Sequence, residues 1–169
     1  MAADPTAYLT NLQQQALGID DERIPLKNLR EALSGPRVVI TGAGGVGKTT
    51  LLKYIASLLA SGLLDARTWT LLFPVWIPLA EVRDGESWAA YLGRRSEALD
   101  WGLPGEYFRE KLESGAAILL IDEVTDRHAM AVEEAARRWP ASRVVAAARA
   151  GACRKLAGYE TIVIATINP

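Results

Sequence analysis

The sequence predicts an α/β protein built on a five-stranded parallel sheet with helices on both faces. Three observations predict it. Strand and helix signals alternate from about residue 36 onward. The strands are apolar on both faces, as buried parallel strands are. A glycine cluster joins the first strand directly to the first long helix.

The elements follow in order. Residues 37–41 form a β-branched run, Val38-Val39-Ile40-Thr41, that ends at the glycines and reads as a buried strand. Residues 48–61 place Leu51, Leu52, Ile55, Leu58 and Leu59 at helical spacing, with Gly62 as the C-cap. Residues 71–79 read as a second strand, which Pro74 and Pro78 confine to an edge or an irregular course. Residues 87–99 and 104–112 read as helices, Pro104 suiting a first turn. Ala116-Ala117-Ile118-Leu119-Leu120-Ile121 is a third strand. Residues 129–138 form a helix stopped by Trp139-Pro140. Residues 143–147 and 161–164 supply the fourth and fifth strands. A lead segment comes first, with Tyr8, Leu9, Leu12 and Leu17 at helical spacing and an acidic turn at Asp20-Asp21-Glu22. The chain thus divides into a helical lead, residues 1–34, and a core, residues 35–169.

Composition narrows the class. The chain has 169 residues, 50% hydrophobic and 23% charged, which suits a folded domain and not a disordered one. Lys plus Arg number 19 against 20 Asp plus Glu, so no basic coat for nucleic acid is expected. A single cysteine, Cys153, and a single histidine, His128, leave no internal disulfide and no His/Cys zinc cluster. The uncharged stretch 68–80 is 13 residues long with two prolines, short of the about 20 apolar residues of a membrane span. The N-terminus has no basic and apolar signal pattern, so the expected location is the cytoplasm.

The chemistry concentrates in Gly42-Ala43-Gly44-Gly45-Val46-Gly47-Lys48-Thr49-Thr50, a complete G-x4-G-K-[ST] pattern after a strand and at the head of a helix. Glycines let the backbone wrap phosphate oxygens closely. Successive amides form an anion nest that the positive end of the helix reinforces. In that role Lys48 reaches the β and γ phosphates, Thr49 ligates Mg2+, and Thr50 donates to the α phosphate. A glycine turn that simply joins strand to helix would not need the Lys-Thr pair in register.

A phosphate site with Mg2+ needs an acid to hold the ion's water shell. Asp122 and Glu123 follow four apolar residues at the carboxyl end of the third strand, the edge where α/β sheets bind ligands. Asp122 is the metal-side acid. Glu123 is placed to orient or deprotonate a water attacking the γ phosphate. The alternatives are a helix N-cap for Asp122 and a solvated first-turn acid for Glu123. Arg149 ends the fourth strand. If that strand lies between the first and third, its guanidinium reads the γ phosphate; otherwise it is a surface arginine. Arg94-Arg95 and Arg137-Arg138 read as solvated helix faces, His128 as a helix-start residue, and the five tryptophans as packing.

These residues resemble the nucleotide-binding core of a NACHT-type NTPase, within the STAND class of signal-transduction ATPases. Four blocks carry the resemblance, which covers about residues 24–169. They are Ile24-Pro25-Leu26 leading into the glycine loop; Pro74-Val75-Trp76-Ile77-Pro78-Leu79; Leu112-Glu113-Ser114-Gly115 running into the acidic strand; and the strand that ends in Arg149. The family usually has a small residue after the metal acid and acids at the third and fourth positions beyond it. Here Glu123 takes the small-residue position, Thr125 is not acidic and Asp126 matches, so the catalytic acid is Glu123 or Asp126. The glycine loop itself is closer to the related apoptotic and plant-resistance ATPases of the same class.

The resemblance implies a three-layer P-loop NTPase with strand order 5-1-4-3-2, and a helical subdomain and winged helix that are absent from these residues. It implies an ATP/ADP-binding domain that hydrolyses ATP slowly with Mg2+. Its nucleotide state would switch homo-oligomer assembly, in defence or regulatory signalling. By analogy the loop near Asp21 to Leu26 covers the adenine. Two other readings stay open. A small-molecule P-loop kinase shares the cradle, with Arg94-Arg95 as a lid remnant. A nucleotide-dependent scaffold without turnover would be indifferent to Glu123→Gln. A GTPase is not expected, since no Asn-Lys-x-Asp motif occurs.

Overall fold

The computed structural model describes residues 3–19, 24–62 and 72–164. Its strands are β1 (Arg37–Gly42), β2 (Phe73–Pro78), β3 (Ala117–Val124), β4 (Arg143–Arg149) and β5 (Glu160–Val163). Its helices are α1 (Thr6–Gln15), α2 (Leu26–Ala32), α3 (Lys48–Ser61), α4 (Trp88–Ala98), α5 (Gly105–Glu113) and α6 (Ala129–Arg138). The strands form one sheet in the order β2-β3-β4-β1-β5, with every pairing parallel. Read from the other edge, this is the order 5-1-4-3-2.

Every residue of β3 except Glu123 is buried, so both faces of the strand are covered. Asp122 meets Thr49 of α3 on one face. Leu119, of opposite parity, lines a cavity with residues of α4, α5 and α6 on the other. Helix α3 packs Leu51, Leu52, Ile55, Ala56 and Leu59 into the core and ends at Gly62, whose φ of 70° makes the left-handed C-cap.

The prolines of β2 have a simple geometric outlet. The strand lies at the sheet edge. Tyr8 Oη donates to Pro74 O at 2.8 Å and accepts from Trp76 N at 3.1 Å, so the polar backbone groups of residues 74, 76 and 78 point away from β3. The two residues that lack an N–H face outward, and the remaining outward N–H is capped by a tyrosine from the lead segment. Tyr8 also packs against Phe73, Trp101 and Phe108 with ring centroids 5.5, 4.8 and 5.0 Å away. The lead segment therefore shares the main core through Tyr8 and Leu12.

Boundaries differ from the sequence reading in places. Leu17 lies past the end of α1 and is exposed, so it is not part of the helix's apolar face. β3 runs to Val124, which puts both acids inside the strand. β4 continues to Arg149, and β5 starts one residue early. Pro104 is the N-cap of α5 and precedes its first turn. The expected acidic turn at Asp20-Asp21-Glu22, the adenine cover at Asp21, Leu71 and Trp69 lie outside the described residues.

Helices α4 and α5 meet closely: a Cβ on Gly105 would overlap the Ala89 carbonyl. Ser87 caps α4 by accepting from Ala90 N at 3.1 Å. On the same face, Ser142 Oγ donates to Leu112 O at 2.6 Å and Tyr159 Oη donates to Val132 O at 2.8 Å, tying loops to helices with buried bonds. Trp76, Trp101 and Trp139 are buried and Trp88 is partly buried, in keeping with packing roles. Among the described residues no helix is long and apolar enough to cross a membrane.

Candidate functional site

The glycine loop bridges β1 and α3. Gly45 and Gly47 have φ of 81° and 100°, conformations that favour glycine. Val46 is buried and anchors the loop from within; a Cβ on Gly42 would stand 2.8 Å from its Cγ2. Ala43, Gly44 and Gly45 are exposed above it. The amides of Gly44, Gly45 and Gly47 donate no hydrogen bond among the described residues. Unpaired amides on a concave turn at a helix N-terminus make an anion-binding surface.

Lys48 turns back over this loop. Its Nζ donates to the carbonyls of Gly42 and Ala43, each at 2.8 Å. Partial burial, and next the Arg149 guanidinium, hold its pKa below the ordinary lysine value; Asp122 opposes them. Thr49 and Thr50 follow in the first turn of α3, the former exposed and the latter half-buried.

Asp122 is buried and fully engaged. Its Oδ2 accepts from Thr49 Oγ1 at 2.7 Å and its Oδ1 from the Glu123 amide at 2.9 Å. It caps no helix; it sits in a strand opposite the first turn of α3. The β3–β4 register shifts between Ile121 and Val124, and in that bulge Glu123 takes φ 61°. Its carboxylate is exposed and makes no hydrogen bond or ion pair among the described residues. A left-handed conformation at a residue other than glycine costs about 1–3 kcal/mol, and such strain gathers at functional positions.

Asp126 is placed differently. Its Oδ1 accepts from Arg154 N at 2.6 Å and its amide donates to Ala152 O at 3.0 Å. It pins the segment after β4 to the turn after β3. Of the two candidate acids, Glu123 is the unengaged one.

β4 lies between β1 and β3, and Arg149 stands opposite Gly42 in the β1–β4 register. Its guanidinium crosses the glycine loop: a Cβ on Gly44 would overlap its Nη2 and stand 2.9 Å from its Cζ. Ala150 N donates to Gly42 O at 3.0 Å and fixes this junction. The structure thus brings together Gly42–Thr50, Asp122 and Arg149, with Glu123 beside them.

The other arginines singled out in the sequence are occupied elsewhere. Arg94 holds Glu86 through Nε at 2.8 Å and Nη2 at 2.9 Å, and Arg95 lies 3.7 Å from Glu81. A pair so fixed on α4 does not form a free lid. Arg137 pairs with Glu134 on its own helix. His128 precedes α6 and its Nδ1 accepts from Thr125 N at 3.1 Å.

One feature beside the loop was not legible in the sequence. A hollow of about 380 Å³ lies between the sheet and the segment after β4, lined by Val39, Thr41, Ala148, Cys153, Arg154 and Lys155 with Thr161. Among the described residues no group of three or more His, Cys, Asp or Glu could hold a metal. A hard ion such as Mg2+ still fits the Thr49 hydroxyl and Asp122 carboxylate, because it draws its remaining ligands from phosphates and water. No protein-family model and no curated protein matches the sequence.

Proposed function

We propose that this chain is the nucleotide-binding core of a NACHT-type P-loop ATPase of the STAND class. In this reading it binds ATP or ADP with Mg2+ in the Gly42–Thr50 loop and hydrolyses ATP slowly as a cytoplasmic conformational switch. The observation that carries the reading is the 2.7 Å bond between Thr49 of the glycine loop's helix and buried Asp122 of β3. A turn that only connected two elements would need neither that carboxylate nor a lysine folded over the loop.

The residues have distinct tasks in this reading. The free amides of Gly44, Gly45 and Gly47 donate to phosphate oxygens. Lys48 exchanges the Gly42 and Ala43 carbonyls for the β and γ phosphates. Thr50 donates to the α phosphate. Thr49 and Asp122 would hold Mg2+, which when bound would supply charge neutralisation at the phosphates. Glu123 accepts a proton from a water whose oxygen bonds to the γ phosphorus. The bond from that phosphorus to the β-bridging oxygen breaks, leaving ADP and phosphate. Arg149 moves from Gly44 onto the γ phosphate and so distinguishes ATP from ADP. Exchange between the two states would drive assembly of the homo-oligomer in defence or regulatory signalling.

Calorimetric titration of Asp122→Asn with ATP tests the metal assignment. Affinity in the presence of Mg2+ should fall about 10–100-fold, as for other groups that orient metal ligands. Affinity without Mg2+ should hold. Equal losses in both conditions would remove Asp122 from the metal role.

A further inference from the structure

The sheet carries a second cavity on the face opposite α3. Its volume is about 410 Å³, within the range of small-molecule sites. Ile77 of β2 and Leu119 of β3 form its floor, and Leu92 of α4 and Phe108 of α5 stand over them. Trp88 and Trp139 flank it, their rings 6.3 Å apart.

The charges around it are matched with one exception. Glu86 is held by Arg94, Glu106 by Arg109 and Glu134 by Arg137. Arg138 has no carboxylate in ion-pair range among the described residues; its guanidinium lies over the Trp139 ring, 5.4 Å from the centroid. The Trp139 indole N–H is buried and unpartnered. A buried donor without an acceptor is costly, and a ligand that supplies one recovers that cost. Arg109 Nε, which also lines the cavity, is likewise buried without a hydrogen-bond partner. The unmatched polar groups of the cavity are therefore the Arg138 cation and two N–H donors, set in an apolar and aromatic wall.

We propose that this cavity binds a small aromatic organic anion. Its ring system lies against the partly exposed Trp88, above the fully buried Leu119 and Phe108 side chains at the base of the cavity. Its carboxylate or sulfonate meets Arg138 and the Trp139 N–H. The site is independent of the glycine loop: Leu119 is three residues before Asp122 and points to the other face.

The test uses two dyes with the same rings, anionic 8-anilinonaphthalene-1-sulfonate and neutral N-phenyl-1-naphthylamine. Their fluorescence is titrated with the folded chain, with Arg138→Gln and with Ala131→Trp, whose new ring fills the cavity. The anionic dye should saturate one site and bind about tenfold more tightly than the neutral one, the worth of one charge-assisted contact. Arg138→Gln should erase that advantage and leave the neutral dye unchanged. Ala131→Trp should weaken both. Equal binding of the two dyes to the unsubstituted chain would overturn the proposal. So would anionic-dye affinity that ignores Arg138→Gln, or binding that ignores Ala131→Trp.

Discussion

Glu123 holds its left-handed backbone, φ 61°, with an exposed side chain that bonds to nothing among the described residues. Nothing in the packing rewards a glutamate there, so function is the better account of it. Glycine should tolerate the position better than alanine, which keeps the strain. Glu123→Gly should therefore be more stable than Glu123→Ala by about 1 kcal/mol, offset in part by glycine's greater unfolded entropy. Both variants should lose phosphate release. An alanine variant as stable as the glycine variant in thermal unfolding would show that the bulge carries no strain. His128 offers a second residue-scale prediction. Burial, and then the Arg127 guanidinium, keep its pKa below the ordinary 6.5. The unfolded chain then takes up a proton that the folded chain resists, so stability is full above pH 6.5 and declines as the pH falls through that value. It is the sole histidine, so melting temperature should fall from pH 7.5 to 6 with a slope that His128→Ala flattens. An unchanged slope in the variant would assign the titration elsewhere.

Elements explain why some of this was legible in the sequence and some was not. The glycine loop, α3 and α6 were readable because capping and periodicity are local: Gly62 closes α3, and Pro140 follows the end of α6. The edge position of β2 was readable because proline's missing donor excludes a central strand. The Tyr8 cap on β2 was not, since it joins residues 66 and 68 positions apart. Nor was the bulge at Glu123, because nothing in Ile121-Asp122-Glu123-Val124 signals a glycine-like backbone. Leu17 misled because apolar spacing does not reveal where a helix stops. Tyr8→Phe isolates the cap. It leaves the aromatic cluster and removes the hydroxyl, so Trp76 N–H and Pro74 C=O lose their partner. Chemical denaturation should show a loss of about 1–3 kcal/mol. No loss would mean that water replaces the hydroxyl at the β2 edge.

At the scale of the whole molecule, the sheet order does the assembling. Putting β4 between β1 and β3 brings Arg149, Gly42 and Asp122 to one carboxyl edge, although they lie far apart in sequence. The fourth strand's place was a condition in the sequence and is a fact in the fold. The two faces then divide the surface: α3 carries the glycine loop on one, and α4 to α6 enclose the aromatic cavity on the other. The central claim is that the first of these holds adenine nucleotide. The most direct test is thermal unfolding of the chain and of Lys48→Ala with ADP, ATP and GTP, each with and without Mg2+. A ligand at about 100 times its Kd adds about 2.7 kcal/mol of stability. For a chain of 169 residues that raises the midpoint by about 5–10 °C. The account predicts that rise with ADP and ATP, little with GTP, and none in Lys48→Ala. Equal rises in the chain and in Lys48→Ala would contradict it, as would no rise with any nucleotide.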